Sequence, residues 1–445
     1  MRATLTALQR PAALIALATA GVLALGTTLL MMPFSSKGEP PPFIDALFTA
    51  TSALCVTGLV TLNTDEQWTA GGQVVLLFLM QIGGLGVMIL VTMLALLTAR
   101  HVGIRDRQVF DTATASGAGS HVRSTLRMIA LVTIAVEGAV AVLLTLRMHT
   151  HYEMGWGKSA WYGIFHAVSA FNNAGFGLRS SSLIDFGTDP FVLLPIAAAI
   201  ILGGIGYPVI LEVLRRLRPH RILTLHSKLM LIGTPVLLFG GTLAVLVPEW
   251  SNPATLGPMN PAQKVLASFF QSTTSRTAGF NALDISQMHP ETWFGTDILM
   301  FIGAGPAGTG GGLKVTSAAV VLIVILSELR GDTGVRAFHR AIPSAVIRQV
   351  VTVMGLYGLA VVVGTGLILL LEPVELDRVL YEVISAISTT GLSTGITADL
   401  STTSRIVLIV LMFLGRVGPV TLGTALALRA RPLAYTSPEE RPIIG

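Results

Sequence analysis

The sequence predicts an all-α membrane protein of four pseudo-repeats around one central pore, each repeat made of a span, a pore helix, a filter loop and a second span. Of its 445 residues, 52% are hydrophobic and only 12% are charged, whereas a soluble domain has roughly 25% charged residues. Mean hydropathy is +0.72. Long apolar runs come in pairs, and a short segment that ends in glycine recurs between the two members of each pair. This regular recurrence indicates internal duplication.

Eight apolar runs are long enough to cross a membrane, since about 20 residues suffice. They cover residues 12–32, 72–99, 126–147, 191–214, 229–248, 297–328, 347–371 and 404–427. We expect the first run to be retained as a span rather than removed as a signal sequence, because it is long and no clear cleavage site precedes Pro33. The predicted repeats are residues 1–100, 101–218, 219–330 and 331–428, followed by a cytoplasmic tail at 429–445.

A shorter apolar segment lies between the two spans of each repeat and is too short to cross the membrane. These segments cover residues 43–55, 159–171, 262–274 and 377–388. We interpret them as re-entrant helices. Irregular backbone at membrane depth is tolerated only where it is buried in protein or lines a water-filled cavity. The turns that follow these helices are therefore predicted to face a pore or a protein interior.

Each re-entrant helix is followed by a turn with a glycine at the matching place, and successive glycines are 117, 104 and 112 residues apart. A helix C-terminus presents unpaired carbonyl groups and the negative end of its dipole, both of which favour a cation. Glycine allows backbone dihedrals that a residue with a Cβ resists. Rings of such carbonyls can replace the hydration shell of a cation. The candidate filter residues are Val56, Thr57, Gly58, Asn173, Ala174, Gly175, Thr277, Ala278, Gly279, Thr389, Thr390 and Gly391.

The second spans share another feature, a glycine that lies 24 to 28 residues after the filter glycine. The pairs are Gly83-Gly84, Gly203-Gly204, Gly303-Ala304 and Gly415-Arg416. Small residues let helices approach closely, which explains most of these glycines. Arg416 is the exception, because an arginine inside the membrane is a functional candidate that should face a cavity and pair with a group there.

The second span of repeat three cannot remain a regular helix, because proline breaks the hydrogen-bond ladder and glycines weaken the helix. We expect two half-helices around a mobile loop. The candidate gate residues are Gly303, Gly305, Pro306, Gly308, Thr309, Gly310, Gly311, Gly312, Lys314 and Arg416. The same segment matches a dinucleotide fingerprint, but the strand and βαβ unit which that motif needs are missing from the sequence pattern.

The distribution of charge predicts orientation. Nineteen of the 29 lysine and arginine residues lie on the side that holds both termini, in segments that include 100–127, 214–228 and 329–348. This side is cytoplasmic by the positive-inside rule. The excess of basic residues is thus explained without a nucleic-acid partner. The opposite side carries an excess of carboxylates, which either concentrate cations at an outer mouth or belong to ordinary solvated loops.

Nearly the whole chain, from the first pair of spans to the final Ser437-Pro-Glu-Glu-Arg-Pro-Ile-Ile-Gly445, resembles the KtrB family of potassium-uptake subunits, within the superfamily of TrkH, KtrB and plant HKT transporters. The resemblance implies a pore of fourfold pseudosymmetry with Gly58, Gly175, Gly279 and Gly391 defining the filter. It implies potassium as the transported ion, because the first filter glycine is serine in some sodium-preferring plant relatives. It also implies an intramembrane gating loop, with Lys314 and Arg416 near the permeation path.

The resemblance further implies partners and ligands outside this chain. These are a second copy in a homodimer, membrane lipid, and a cytoplasmic ring of KtrA-type RCK subunits that bind ATP or ADP. Sodium is a possible activator, and no covalent cofactor is expected. The basic segments and the tail at 429–445 would offer the docking surface.

The expected function is potassium uptake across the cytoplasmic membrane through a channel-like pore. One alternative is a sodium-preferring or poorly selective transporter of the same fold. Another is a membrane-embedded enzyme or oxidoreductase subunit, which would need polar catalytic groups clustered at one depth. Three residues receive structural interpretations: an interhelical hydrogen bond for Glu137, packing or hydrogen bonding for His166, and bracing of the filter turn from behind for Arg276.

Overall fold

A computed structural model describes residues 11–99, 118–216 and 223–428 of the chain, and within these ranges the protein is almost entirely helical. Its α-helices, numbered in chain order, are α1 (Pro11–Leu30), α2 (Phe43–Leu54), α3 (Thr64–Gln67), α4 (Ala70–Ala99), α5 (Ala118–Thr150), α6 (Trp156–Phe171), α7 (Pro190–Ile205), α8 (Tyr207–Arg216), α9 (Leu225–Glu249), α10 (Pro261–Thr274), α11 (Pro290–Ile302), α12 (Val315–Arg330), α13 (Ser344–Leu371), α14 (Leu376–Ile387) and α15 (Thr402–Leu428). A two-residue hairpin of β1 (Arg336–Ala337) and β2 (Arg340–Ala341) follows α12.

Long apolar helices of this kind are typical of a multi-pass membrane protein. Within the described residues, α5, α9 and α13 each contain a stretch long and apolar enough to span a membrane, and α7 with α8 would make a fourth such span. The other predicted spans also coincide with helices or helix pairs, while their number, eight, stays a prediction. Large apolar side chains on the outer face of α9, such as Phe239 and Val247, are about 70% exposed, as expected of a surface that meets lipid.

Each of the four segments predicted to be re-entrant forms a short helix, namely α2, α6, α10 and α14. In α2 every residue from Ala46 to Leu54 is buried except Leu47, which is partly buried. The start of α2 also packs against α15, where Asp45 accepts a 2.7 Å hydrogen bond from Arg405. This ion pair joins the first and last repeats and closes the bundle.

The predicted interruption of residues 297–328 is present, since α11 ends at Ile302 and α12 begins at Val315. The segment predicted as one span over 191–214 is not a straight helix. The helix breaks at Gly206, whose φ of +93° lies in the left-handed region, and α8 leaves α7 at an angle of 97°. Pro208 occupies the second position of α8, where its missing N–H costs nothing.

Several carboxylates on the predicted outer side hold loops together. Glu249 is fully buried at the end of α9 and accepts hydrogen bonds from Thr255, His289 and Thr292, among others. Hydrogen bonds from Ser401 and Ser404 hold the pKa of the Glu372 carboxyl below its usual range. These two carboxylates hold loop groups in place, and Glu249 is fully buried, so it is not one of the solvated loop residues of the ordinary interpretation.

The predictions for residues 1–10, 100–117, 217–222 and 429–445 lie outside the described residues. They include parts of two basic segments and the whole C-terminal tail.

Candidate ion pathway

The turns after α2, α6, α10 and α14 share a backbone conformation that residues with a Cβ rarely adopt. In each turn a residue other than glycine has φ between +50° and +67°, and the filter glycine that follows has φ between +71° and +97°. The non-glycine residues are Val56, Asn173, Thr277 and Thr389. All four belong to the predicted filter set.

The N–H groups of the turns point back toward their own helices. The N–H of Thr57, Ala174 and Thr390 donates at 2.8 Å to the carbonyl of the serine five residues earlier. The N–H of Gly58 and Gly391 donates at 3.0 Å to the hydroxyl of the same serine in each turn. Among the described residues, no group donates to the carbonyl oxygens of Thr57, Ala174, Ala278 or Thr390. The turns thus keep unpaired carbonyl oxygens.

The four filter glycines meet in a closed ring. A Cβ added to Gly58 would lie 2.7 Å from the carbonyl oxygen of Ala174, and one on Gly175 would lie 2.8 Å from that of Ala278. A Cβ on Gly279 would lie 2.4 Å from the carbonyl oxygen of Thr390, and one on Gly391 only 1.9 Å from that of Thr57. Separations under 3.0 Å do not occur for real Cβ atoms. Only glycine fits this ring, and the ring brings all twelve predicted filter residues to one place.

The third turn differs from the others by one residue. Its glycine follows the helix end by five residues, from Thr274 to Gly279, whereas the other three turns need four. Accordingly, the N–H of Ala278 donates to the carbonyl of Thr274 only four residues earlier. The longer turn contains Arg276.

The glycines of the second spans allow these spans to touch the ends of the re-entrant helices. A Cβ on Gly83, Gly203 or Gly415 would lie within about 2 Å of the carbonyl oxygen of the last residue of α2, α6 or α14, respectively. The matching glycine in repeat three, Gly303, instead packs against Gly311. The ends of α2, α6 and α14 are therefore each packed against a glycine of the following helix. The end of α10 has no such contact with Gly303.

The glycine-rich segment between α11 and α12 lies directly against the filter turns. The N–H of Gly311 donates at 3.1 Å to the hydroxyl of Thr277. A Cβ on Gly311 would lie 2.0 Å from the hydroxyl of Thr389, and the hydroxyl of Thr309 donates at 2.9 Å to the carbonyl of Phe171 at the end of α6. The predicted gate residues are thus brought together beside the ring.

The break between α7 and α8 is joined to the same loop, a connection the sequence prediction missed. The N–H of Gly305 donates at 2.8 Å to the carbonyl of Gly204, and that of Thr309 donates at 3.0 Å to the carbonyl of Gly203. A Cβ on Gly206 would lie 2.4 Å from the carbonyl of Pro306. The sequence Gly206-Tyr-Pro208 is the signal that could have located this break.

Arg416 and Lys314 both hold the loop through backbone carbonyls. The Arg416 guanidinium is 6% exposed and donates to the carbonyls of Thr309 at 2.5 Å and Gly83 at 2.6 Å. The Lys314 ammonium donates to the carbonyls of Gly310 at 2.8 Å and Gly311 at 3.3 Å. Arg416 therefore bridges the loop in repeat three and α4 in repeat one.

Two further polar groups lie close to the turns. Asn172, which caps α6, donates to Gln81 at 2.8 Å and to Glu137 at 3.2 Å, so Glu137 makes an interhelical hydrogen bond as interpreted. Glu382 in α14 is fully buried and accepts from the N–H of Thr394 and the hydroxyls of Ser393 and Thr397. The sequence prediction counted Glu382 only as an outer carboxylate.

His166 is fully buried in α6, where its ring stacks on Tyr162 and its Nδ1 lies 2.8 Å from the carbonyl of that residue. This agrees with the packing interpretation.

Comparisons with known proteins agree on one family. A family model described as TrkH, a cation transport protein, matches residues 8–430. The Ktr system potassium uptake protein B of Vibrio alginolyticus is 38% identical over 434 residues, covering 97% of this chain and 94% of that protein. The potassium/sodium uptake protein NtpJ of Enterococcus hirae is 37% identical over 429 residues, covering 94% of each.

A crystal structure of the potassium transporter TrkH from Vibrio parahaemolyticus matches with a TM-score of 0.70 at 19% identity. The match covers 93% of this chain and 84% of that chain. The two proteins share a fold.

The close contact at Gly83 predicts that Gly83→Ala displaces the end of α2 and lowers the melting temperature of the detergent-solubilised protein. Gly86→Ala, three residues further along α4, is the control, because a Cβ at Gly86 meets nothing within 4 Å. Thermal unfolding followed by size-exclusion chromatography measures both. Equal melting temperatures for the two variants would contradict the packing role of Gly83.

Proposed function

The chain belongs to the TrkH family of cation transport proteins, and we propose that it takes up potassium across the cytoplasmic membrane through a channel-like pore. The family is one of transporters and not of enzymes, so the alternative of a membrane-embedded enzyme is dropped. The observation that carries the proposal is the ring of four glycine turns with unpaired carbonyl oxygens. A dehydrated cation needs ligands of this kind.

Two physical effects would drive potassium uptake, namely binding to carbonyl oxygens and the membrane potential. A potassium ion that enters the ring exchanges water for carbonyl oxygens, and an inside-negative membrane potential contributes about 2.3 kcal/mol per charge per 100 mV. No chemical step in this chain is required. The filter would consist of the twelve turn residues, with the free carbonyls of Thr57, Ala174, Ala278 and Thr390 among the ligands.

The glycine-rich loop is the proposed gate, and its contacts with Thr277 and Thr389 favour a closed state. Opening requires the loop to leave the filter turns, which breaks the hydrogen bonds from Arg416 and those to Gly203 and Gly204. Glycine backbone is suited to such a change because it adopts many dihedral combinations at little cost.

The sequence-based orientation places the loop on the cytoplasmic side of the filter, with both termini in the cytoplasm. Ions would then meet the filter before the gate during uptake. Fusing a reporter that is active only in the cytoplasm to either terminus would test this orientation, and an inactive fusion at either end would contradict it.

A pore of the same fold that prefers sodium or discriminates poorly is the alternative function. Similarity to a protein described as a potassium/sodium uptake protein favours keeping it. Gly58 in the first turn favours potassium, because serine stands there in some sodium-preferring relatives. Sodium could also act as an activator.

Control of the gate by a second protein is part of the proposal. The relative from Vibrio alginolyticus is described as part of a Ktr system, and the KtrB resemblance implies a homodimer on a cytoplasmic ring of RCK subunits that bind ATP or ADP. We expect the purified chain to be dimeric and to bind a KtrA-type ring in size-exclusion chromatography with light scattering. A chain that stays monomeric and does not bind the ring would contradict this.

Gly391→Ser tests the filter. We expect potassium uptake into proteoliposomes at an inside-negative potential to fall at least tenfold, because any side chain at Gly391 meets the carbonyl of Thr57. Gly395→Ser is the matched control: Gly395 also has left-handed φ, +95° against +92°, but its nearest neighbour lies 3.9 Å from an added Cβ.

Backbone strain alone would reduce uptake equally in both variants and would contradict the filter assignment. Sodium uptake equal to potassium uptake in the unaltered protein would favour the alternative function.

Arg416 variants test the gate. Arg416→Met removes both carbonyl contacts and the charge, and Arg416→Lys keeps the charge but cannot reach both carbonyls with one planar group. We expect both variants to raise potassium flux without the partner ring, because the loop is no longer tied to α4. A higher potassium flux in Arg416→Met but not in Arg416→Lys would show that the residue acts through its charge and not through the two hydrogen bonds.

A further inference from the structure

Arg276 differs from the other two basic side chains near the filter. The side chains of Arg416 and Lys314 donate to backbone carbonyls. Arg276 is only 6% exposed, yet its guanidinium makes no hydrogen bond or ion pair with any described residue. A buried charge without a hydrogen-bond partner or counter-ion destabilises the folded protein. We therefore expect a group from outside the chain to compensate the charge of Arg276.

A cavity adjoins Arg276, between α7, α9, the end of α10 and the start of the glycine-rich loop. Thr234 of α9 also lines it, is 4% exposed, and has a hydroxyl without a partner. The hydroxyl of Thr273 is already used in a 2.8 Å bond to Phe269. The cavity therefore offers two unused donors, one of them charged, on opposite elements.

The other polar residue in the lining is Asn173, whose side chain carries no charge. The Asn173 amide nitrogen is best directed at the carbonyls of Ala170 and Ile200, at 3.2 and 3.3 Å. No carboxylate lines the cavity within the described part of the chain. The positive charge of Arg276 disfavours a cation, and the space open to the centre of a water-sized sphere, about 10 Å³, leaves room for one small ion.

We propose that this cavity binds a single small halide, chloride under physiological conditions, between the Arg276 guanidinium and the Thr234 hydroxyl. Both groups donate N–H or O–H hydrogens, which are the ligands an anion requires. The halide supplies the negative charge that no described side chain provides to Arg276.

A halide bound to Arg276 would also affect potassium in the ring of glycine turns, an inference that rests on the proposed function. Arg276 is in the one-residue-longer third turn and directly precedes Thr277 of the filter set. Its uncompensated charge would repel a potassium ion in the ring, since the attraction or repulsion of charges is strong where water is excluded. A bound halide cancels that field, so a potassium pore can keep an arginine beside its filter.

The first test uses bromide in place of chloride, with anomalous scattering from crystals of the full chain. We expect a bromide peak between Arg276 and Thr234, lost in Thr234→Val and unchanged in Thr242→Val. Thr242 is the matched control because it lies eight residues further along α9 and its hydroxyl is already bonded to Leu238. Ordered water without a bromide peak, or an equal peak in Thr234→Val, would overturn the proposal.

The second test measures thermal stability in solution at equal potassium concentration. A ligand that binds only the folded state raises its melting temperature, whereas gluconate is too large to enter the cavity. We expect a higher melting temperature in chloride than in gluconate for the unaltered protein and for Thr242→Val, and no difference for Thr234→Val or Arg276→Met.

The same melting temperature in both salts for the unaltered protein would overturn the site. Neither test measures transport, so a failure here is distinct from a failure of the filter assignment.

Discussion

A helix that ends inside a membrane leaves its last carbonyl groups without intrahelical partners, and lipid cannot supply any. In the proposed pore, this constraint applies four times, at the ends of α2, α6, α10 and α14. Three of the helix ends are covered by a glycine of the following span, and the turns beyond them direct unpaired carbonyls into a shared ring. The close approach of the neighbouring helices and the left-handed turns both follow from this constraint, and the proposed binding of a cation would complete it.

The third repeat carries most of the departures from fourfold symmetry. Its turn is one residue longer, its second span is interrupted, and the glycine that would cover the end of α10 packs on the loop instead. The loop fills the region that a continuous span would occupy, and it bonds to Thr277 in its own repeat and to α7 in repeat two. Movement of this loop would therefore break contacts in two of the predicted repeats, which is consistent with its proposed role as the gate.

The sequence predicted those features that depend on local composition. The long apolar helices, the four short helices between them, the four turns and the interruption before Lys314 could be predicted from spacing and residue type. The bend at Gly206 was missed because average hydropathy does not register one glycine and one proline. The bridge from Arg416 to Gly83 joins residues 333 positions apart, and no local pattern reports such a contact. Glu382 looked like other outer carboxylates, because burial is not visible in composition.

Arg416 donates to two neutral backbone carbonyls, those of Thr309 and Gly83, and such hydrogen bonds can be broken when the loop moves. A hydrogen bond from a charged group has a net value of about 1.5–3 kcal/mol, so its two carbonyl contacts together stabilise the loop by a few kcal/mol. Shifting a two-state equilibrium from 1:99 to 99:1 needs about 5.5 kcal/mol, which is of the same order. Under the proposed function, a partner that favours the open loop by a free energy of this size would release the contact.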